Sequence, residues 1–376
     1  MKHTFHLLWA ALCLASVAVG LVMPKSYAVD RAYNLMSEAG TNLSVYEHAA
    51  TNSRARFVEN SGICETTKGV KQYSGYFDVG TDQHTFFWFF EARNNASTAP
   101  LALWLSGGPG CSSMLGLFQE NGPCTFNKGG SEPILNPYSW NNFANMLYVD
   151  QPIGAGFSYG SDNTTSTVKA APQVWGLMQS FYSRFPEYEN RDFGLFTESY
   201  GGHYGPDFAD YFETQNKNID KGSVKGDKIK LVALGINNGW IDAGTLASTQ
   251  YKDYLTYAVN NSYNKLIDQR KYNELLKAYD KDCAPLLSKC TSVVGQNEAC
   301  AAAEEACYGA VEGPIEDSKT FNPYDVRSAS GDFPSDAYAR YLQRSDVRKA
   351  IGVTSAYQEC ADAPYDRFAS TGDGEQ

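Results

Sequence analysis

The sequence predicts an α/β fold with a mixed sheet, and two features of the chain lead to this prediction. Two strand-like runs, Lys71–Asp78 and His84–Glu91, flank a Gly-Thr-Asp turn and indicate an opening hairpin. After the hairpin, short apolar strands alternate with helical segments as far as about residue 240. That alternation is typical of a sheet with helices packed on it.

The elements after the hairpin follow one another at short intervals. Leu101–Leu105 is predicted as a short buried strand, because the Gly-Gly-Pro-Gly run that follows it breaks regular structure. The later strands are apolar runs of the same kind, at Met146–Asp150, Phe193–Thr197 and Lys230–Ile236. Helices are predicted at Val168–Phe185, from its apolar spacing, and at Tyr204–Phe212.

From Trp240 to about Tyr341 the chain is helical, polar and rich in cysteine. Lys265–Tyr279 is amphipathic, and four cysteines lie within 25 residues, namely Cys283, Cys290, Cys300 and Cys307. Nested pairing of these cysteines would staple a helical insertion that is too thin to form its own core. We therefore expect a core at residues 29–240, a cap at 241–341, and the start of a return to the core at 342–376.

The first 28 residues have the features of a secretory signal peptide. Lys2 precedes the apolar run Leu7–Met23, and the small-residue cleavage site Ser26-Tyr27-Ala28 follows. A membrane anchor is the alternative, because the apolar run is long. We expect cleavage after Ala28, a secreted protein and no membrane contact afterwards, with a vacuolar address as the other destination.

Charge and cysteine content agree with that route. The net charge of −11 makes nucleic acids and anionic membranes poor partners. Eight cysteines follow the signal, an even number that suggests four disulfides in an oxidising compartment. Metal binding is the weaker alternative, since no C-x-x-C motif occurs and few histidines remain, so neither a metal nor another cofactor is expected. Four glycosylation sequons begin at Asn42, Asn95, Asn163 and Asn260.

The segment Phe193–Tyr204 carries the strongest chemical signal. A predicted strand runs into Thr197-Glu198-Ser199-Tyr200-Gly201, and a helix begins directly afterwards. This is the pattern of a nucleophile elbow, G-x-S-x-G, with Thr197 at the first glycine position. The tight turn would expose the Ser199 hydroxyl at the N-terminus of the helix. A helix-capping serine is the alternative.

Two further stretches lie where such a site needs them. Gly107-Gly108-Pro109-Gly110 follows the third strand, where an α/β-hydrolase builds its oxyanion hole. Backbone N–H groups there can face a developing oxyanion together with the Tyr200 N–H. A glycine-rich turn is the alternative. The stretch Tyr148–Ser158 ends a strand with a rigid loop and is structural when taken alone.

Together these motifs resemble the serine carboxypeptidase family, α/β-hydrolases that remove C-terminal amino acids at acidic pH, and especially its fungal secreted branch. The resemblance runs from about Cys64 to Gln376 and includes four motifs in the family's order. They are GGPGCSS at 107–113, ENGP at 120–123, DQPxGxGFS at 150–158 and ESYGG at 198–202.

The resemblance implies a role for individual residues. Ser199 would be the nucleophile, with the Gly108 and Tyr200 N–H groups as the oxyanion hole. Glu120, Glu198 and Gly107 would hold the α-carboxylate of a peptide or protein substrate. The resemblance also implies the disulfides Cys111–Cys360, Cys283–Cys307 and Cys290–Cys300, and with them the pair Cys64–Cys124.

The glutamate pair can also be argued from physics. Two neighbouring carboxyls cannot both ionise cheaply, so one of them keeps a proton. A protonated glutamate can donate a hydrogen bond to a substrate carboxylate, which favours acidic pH. The alternative is that Glu120 and Glu198 are ordinary solvated acids.

Two features depart from the family pattern. Ser106 stands where the family usually has Asn, so a shorter hydroxyl replaces an amide that binds the substrate carboxylate. The family's catalytic Asp and His follow the nucleophile, beyond the segment that resembles Tyr357–Asp373, and this sequence stops at Gln376. His203 does not occupy the position of the base. We therefore expect a C-terminally truncated carboxypeptidase that lacks its last strands and has little or no peptidase activity as written.

The predicted reaction is hydrolysis of a C-terminal peptide bond through an acyl-enzyme, without a cofactor. One alternative is a non-catalytic relative that keeps the pocket for peptide C-termini but lacks the base. Another is a different secreted α/β-hydrolase, such as an esterase or acyltransferase. Glu120 and Glu198 argue against that last alternative, because those reactions need no carboxylate clamp.

Overall fold

The computed structural model describes residues 31–36, 40–48, 53–161, 163–242, 251–261, 264–290, 297–317, 321–328 and 334–375. Within them lies a ten-stranded mixed sheet packed against helices, which confirms the predicted fold class. The predicted signal peptide, residues 1–28, lies outside the described residues. In the part of the chain that is described, no helix is long and apolar enough to cross a membrane.

The large sheet has an antiparallel half and a parallel half. Its strands are β1 (Arg31–Met36), β2 (Asn42–His48), β3 (Ser53–Glu59), β4 (Gln72–Asp78), β5 (Gln83–Phe90), β6 (Leu101–Leu105), β9 (Asn145–Val149), β10 (Tyr159–Gly160), β11 (Phe193–Glu198) and β12 (Leu231–Asn237). A separate ribbon pairs β7 (Cys124–Thr125) with β8 (Ile134–Leu135). The order is β1-β2-β3-β4-β5-β9-β6-β11-β12, with β10 beside β5. Strands β9, β6, β11 and β12 run parallel, so their carboxyl ends meet at one edge.

The aromatic run on β5 shows why the centre of the sheet is buried on both faces. Phe87 and Phe89 point into one apolar cluster, whereas Phe86, Trp88 and Phe90 point into the other. All five side chains are fully buried. A continuous apolar strand of this kind fits a sheet that helices cover on both sides.

Eleven α-helices are described. They are α1 (Met114–Gln119), α2 (Thr167–Arg184), α3 (Gly201–Asp220), α4 (Tyr254–Asn260), α5 (Gln269–Ala278), α6 (Ala284–Leu287), α7 (Asn297–Cys307), α8 (Gly313–Glu316), α9 (Ala337–Gln343), α10 (Ser345–Ala350) and α11 (Asp362–Ala369). Helices α2 and α3 cover one face of the sheet, and α1, α9 and α10 pack on the other.

The helical block after the sheet differs from its prediction in one respect. Leu255, Ile315 and Phe321 are buried in an apolar cluster that belongs to this block alone. Helix α4 packs on α5, which in turn packs on the π-helical turn Tyr308–Glu312. The expectation that the insertion is too thin for its own core was therefore wrong, because three layers of helix enclose apolar side chains.

The return to the sheet also begins before residue 342. Tyr338 and Leu342 of α9 are fully buried in the core of the sheet, and the Tyr338 ring stacks on Phe118 with centroids 5.4 Å apart. Apolar packing thus places α9 with the core, and the helical block ends before Ala337.

Four disulfides connect the described residues, with the pairing that the family resemblance implies. Cys283–Cys307 and Cys290–Cys300 are nested in the helical block. Cys64–Cys124 and Cys111–Cys360 lie in the core, and the latter joins residues 249 apart in the sequence.

Strands β1 to β3 were not predicted from the sequence. Their burial does alternate along β2 and β3, where Leu43, Val45, Ala55 and Phe57 face the core and their neighbours do not. The alternation of buried and exposed side chains covers only a few residues, and polar residues surround it. Pairing with β4 therefore stabilises these strands more than the β-propensity of their own residues does.

Strand β12 is the last strand of the sheet among the described residues, and it is unusually apolar for an edge strand. Among the described residues it pairs only with β11. Val232 is 57% exposed and Leu234 is 41% exposed, and no charged residue interrupts Leu231–Asn237. An apolar strand edge without charges can pair with another chain.

We predict that Val232→Lys reduces self-association of the chain, because a lysine on an edge strand opposes pairing with a second edge. Light scattering after size exclusion measures this as a larger monomer fraction at equal concentration. Val168→Lys on α2 is the matched control, since Val168 is 68% exposed but lies off the sheet. Equal behaviour of the two variants would contradict the role of the edge.

Candidate active site

Ser199 lies in the sharp turn between β11 and α3. Its backbone has a φ of 60°, a left-handed conformation that a non-glycine residue adopts only under constraint. The Ser199 N–H donates to the Asn237 carbonyl at 3.0 Å, and its own carbonyl accepts from Trp240 N at 2.8 Å. Strand β12 and the residues after it therefore hold the turn that exposes the Ser199 side chain.

Small residues allow this turn to close. An added Cβ at Gly202 would lie 2.1 Å from the Trp240 carbonyl oxygen, and one at Gly201 would lie 2.5 Å from the Thr197 Cβ. The Thr197 hydroxyl donates to the Gly201 carbonyl at 2.7 Å. Threonine is accommodated at the first position of the elbow because Gly201 leaves room for it.

The glycine loop after β6 reaches the elbow from the neighbouring strand. Strands β6 and β11 are adjacent and parallel, so the loop and the turn emerge at the same edge. A Cβ added to Gly107 would lie 2.5 Å from the Tyr200 nitrogen and 2.9 Å from the Ser199 Cβ. Within the described structure, the N–H groups of Gly107, Gly108 and Tyr200 donate no hydrogen bond. Three unpaired amides beside an exposed serine suit the stabilisation of an oxyanion.

Glu120 and Glu198 are electrostatically coupled near this serine. Burial, and then the charge of Glu198, raises the pKa of Glu120 to about 7. The Glu120 side chain is exposed to solvent. The protein around its carboxyl group nevertheless excludes enough water to disfavour the ionised form. Burial also raises the pKa of Glu198. Burial is thus the main reason that both carboxyls hold protons above the usual range for glutamate, and the charge of Glu198 adds to the effect at Glu120.

Ser106 is oriented by a neighbouring side chain. It is buried, and its hydroxyl accepts a hydrogen bond from the Trp104 indole N–H at 3.3 Å. The Ser106 N–H donates to the Ser113 hydroxyl at 3.2 Å. The Ser106 hydroxyl still has a proton to donate, so its contact with a substrate carboxylate stays a prediction.

Neither His84 nor His203, the histidines whose side chains the structure describes, is hydrogen-bonded to Ser199. The Ser199 hydroxyl makes no hydrogen bond to another described residue. His203 has a buried Nε2 without a partner, and burial lowers its pKa against the opposing charge of Asp373. His48 lies in β2, and His84 in β5 is bound to Asp78 at 2.5 Å.

Two residues near the site had not been singled out by the sequence analysis. Asp373 accepts hydrogen bonds from the Tyr200 hydroxyl at 2.7 Å and from the Thr167 hydroxyl at 2.6 Å. Asp150 lies behind the glycine loop and accepts three hydrogen bonds. Asp150 had appeared only within a motif, whereas burial and contacts distinguish it. In the described ranges, no group of three or more His, Cys, Asp or Glu residues could hold a metal ion.

Comparison with known proteins gives consistent matches. The family model for serine carboxypeptidases matches residues 63–371. The chain is 57% identical to carboxypeptidase S1 of Penicillium janthinellum over 318 residues, which cover 84% of this chain and 74% of that protein. It is 34% identical to carboxypeptidase S1 homolog A of Arthroderma otae, covering 86% of this chain and 60% of that one. It is 38% identical to carboxypeptidase Y of Schizosaccharomyces pombe, and that match covers 77% of this chain and 29% of that protein.

A solved structure supports the same fold. Kex1(delta)p, a prohormone-processing carboxypeptidase from Saccharomyces cerevisiae, superposes with a TM-score of 0.67 at 24% identity. The match covers 83% of this chain and 70% of that one. The chain thus spans only part of the length of each of these proteins.

The raised pKa of Glu120 predicts how the stability of the chain depends on pH. A carboxyl with a higher pKa in the folded state stabilises that state when protonated. This contribution is fully present below the unfolded value of 4.5 and is lost as the pH rises through about 7. Urea unfolding from pH 4 to pH 8 should therefore show a smaller loss of stability for Glu120→Gln than for the parent. Glu187→Gln, at an exposed site, is the control, and curves of equal slope for all three proteins would contradict the assignment.

Proposed function

Because the chain belongs to the serine carboxypeptidase family, we propose that it carries the nucleophile and the C-terminus-binding groups of a serine-type carboxypeptidase. The observation that carries this proposal is the geometry at Ser199. An exposed serine in a constrained turn lies against the glycine loop at Gly107, and it directly follows Glu198, whose charge adds to burial in raising the pKa of Glu120.

In the proposed reaction, the Ser199 hydroxyl attacks the carbonyl carbon of the last peptide bond. The Gly108 and Tyr200 N–H groups hold the oxygen that becomes negatively charged. Collapse of the intermediate releases the C-terminal amino acid and leaves an acyl-enzyme, which water then hydrolyses. A base must take the serine proton in the first step, and the described residues supply none in contact with Ser199.

Recognition of the substrate would depend on the glutamate pair. A carboxyl that keeps its proton can donate a hydrogen bond to the α-carboxylate of the substrate, with the Gly107 N–H as a second donor. An ionised pair would repel that carboxylate instead. The proposed substrates are therefore the C-termini of peptides or proteins, taken at acidic pH.

We also propose that the protein follows the secretory route. The sequon residues Asn42, Asn95, Asn163 and Asn260 are all exposed, so each is accessible for glycosylation. The four disulfides suit an oxidising compartment. A secreted protein is the first expectation, and a vacuolar one is the alternative.

A second candidate is binding of peptide C-termini without hydrolysis. The observation that favours it is the absence of a base at Ser199 within the described residues. Both candidates need the same carboxylate clamp, and they differ only in whether Ser199 is acylated.

We predict that a blocked peptide with a free C-terminus binds less tightly as the pH rises through about 7, by about tenfold for each further pH unit. Titration calorimetry of the 376-residue chain measures this directly. Glu198→Gln keeps a hydrogen-bond donor that does not ionise, so its affinity should depend less on pH. The same peptide with a C-terminal amide is the control. If the amide binds as tightly as the acid, the clamp is not at this pair.

We further predict that the 376-residue polypeptide by itself has little peptidase activity, because none of its described residues supplies Ser199 with a base and loss of a triad member costs about four orders of magnitude in rate. A chimera tests this by joining the part of Penicillium carboxypeptidase S1 beyond its aligned region to residue 371, where the family match ends. The chimera should hydrolyse a blocked dipeptide, and its Ser199→Ala variant should not. Both proteins must first be shown to be monomeric and to unfold cooperatively. Equal turnover by the folded parent and the chimera would require another residue to act as the base.

A further inference from the structure

Asp150 is a buried carboxylate for which the proposed reaction gives no role. It follows β9 directly, and 0% of its surface is exposed. One carboxylate oxygen, Oδ1, accepts hydrogen bonds from the Ser112 hydroxyl at 2.6 Å and from the Ser113 N–H at 3.0 Å. The other, Oδ2, accepts from the Phe157 N–H at 2.8 Å. These partners are a hydroxyl and two amides, so the carboxylate is satisfied by hydrogen bonds to neutral groups.

Ser113 links Asp150 to both ends of the glycine loop, which begins after Ser106 and ends at Ser113. The Ser113 N–H, at the exit of the loop, is held by Asp150. The Ser113 hydroxyl donates to the Val149 carbonyl at 2.5 Å and accepts from the Ser106 N–H, at the entry, at 3.2 Å. Gly107 and Gly108 therefore lie in a segment whose two ends converge on one residue beside Asp150.

The surroundings of Asp150 leave no room for it to move. An added Cβ at Gly156 would lie 2.0 Å from the Asp150 Oδ2 and 2.7 Å from the Ser112 hydroxyl oxygen. Burial raises the pKa of Asp150 to about 7, and its three hydrogen bonds oppose that rise. A buried acid is costly unless its oxygens are bonded, so Asp150 and its three donors hold one another in a single arrangement.

The opposite side of the loop is held by a different segment. The Ser112 N–H donates to the Glu359 carbonyl at 2.7 Å, and the Ala361 N–H donates to the Gly110 carbonyl at 3.0 Å. The Cys111–Cys360 disulfide lies between these two bonds. Asp150 therefore holds the glycine loop on the side that faces the sheet. Residues 359–361 hold the loop on the opposite side.

We propose that Asp150 is a positioning residue for the oxyanion hole. Its carboxylate fixes Ser112 and Ser113, and these fix the Gly107 and Gly108 N–H groups beside the Ser199 elbow. This inference rests on the proposed function, in which those N–H groups stabilise the reacting oxygen. Asp150 itself touches neither the substrate nor the reacting atoms.

Asp150→Asn tests the positioning directly. Asparagine has one acceptor oxygen, so its NH₂ group must face either the Ser112 and Ser113 donors or the Phe157 N–H. At pH 8, above the pKa of about 7 for Asp150, we expect amide hydrogen exchange of Ser106, Cys111 and Ser112 to become about tenfold faster, the factor for loss of about one hydrogen bond to a charged group. Asp227→Asn is the matched control, because Asp227 is also buried but lies between α3 and β12. Unchanged exchange in Asp150→Asn, or the same acceleration in Asp227→Asn, would overturn the proposal.

Labelling of Ser199 by a fluorophosphonate tests the consequence for chemistry, with Asp150→Asn and Asp227→Asn each made in the chimera described above, in which Ser199 is expected to react. The probe places a phosphoryl oxygen where the oxyanion would lie. Displaced N–H groups should therefore lower the maximal labelling rate. The probe concentration that gives half the maximal rate should stay within twofold of its value with Asp150 in place. We expect a decrease of about tenfold or more, within the roughly 10²–10³ that loss of a whole oxyanion donor costs. An effect on half-saturation alone, or an equal decrease in Asp227→Asn, would count against positioning. If the folded chimera does not label at Ser199, the proposed function fails, and the exchange measurement still decides the role of Asp150.

Discussion

The site depends on one close approach, between the glycine loop after β6 and the turn after β11. These strands are neighbours in the parallel half of the sheet, so their carboxyl ends meet at one edge. At that edge Gly107 comes so near the Tyr200 nitrogen that an added Cβ would lie only 2.5 Å away. No side chain fits there. Because of this contact, the glycine loop and the turn that carries Ser199 lie together at one edge of the sheet.

Each partner in this contact is held by structure outside it. The left-handed turn at Ser199 is bonded to Asn237 and Trp240, so the last strand of the described sheet supports the elbow. The glycine loop is held by Asp150 on one side and by the segment around Cys360 on the other. The strain at Ser199 persists because these neighbours leave no relaxed alternative. The same arrangement places Glu198, one residue before Ser199, where its charge adds to burial in raising the pKa of Glu120.

How far the sequence predicts this molecule depends on the kind of signal. Strands β4 to β6, β9, β11 and β12 were recognised because long apolar runs and glycine breaks are local features. Strands β1 to β3 were missed, since their alternation is short and their pairing comes from β4. The elbow was recognisable because its motif joins a strand to a helix. The role of Asp150 was not, because a buried acid that organises a loop 38 residues away leaves no periodic pattern. The core of the helical block was missed for a similar reason, as it forms only when separate helices stack.

The most direct test of the account is a crystal structure of the chain with a blocked peptide that carries a free C-terminal carboxylate, grown below pH 6. The account predicts that this carboxylate lies between Glu120 and Glu198, within hydrogen-bond distance of the Gly107 N–H. It also predicts that the preceding carbonyl lies beside Ser199, with its oxygen facing the Gly108 and Tyr200 N–H groups. A peptide bound elsewhere, or one whose carboxylate points to solvent while its chain crosses Ser199, would contradict the account.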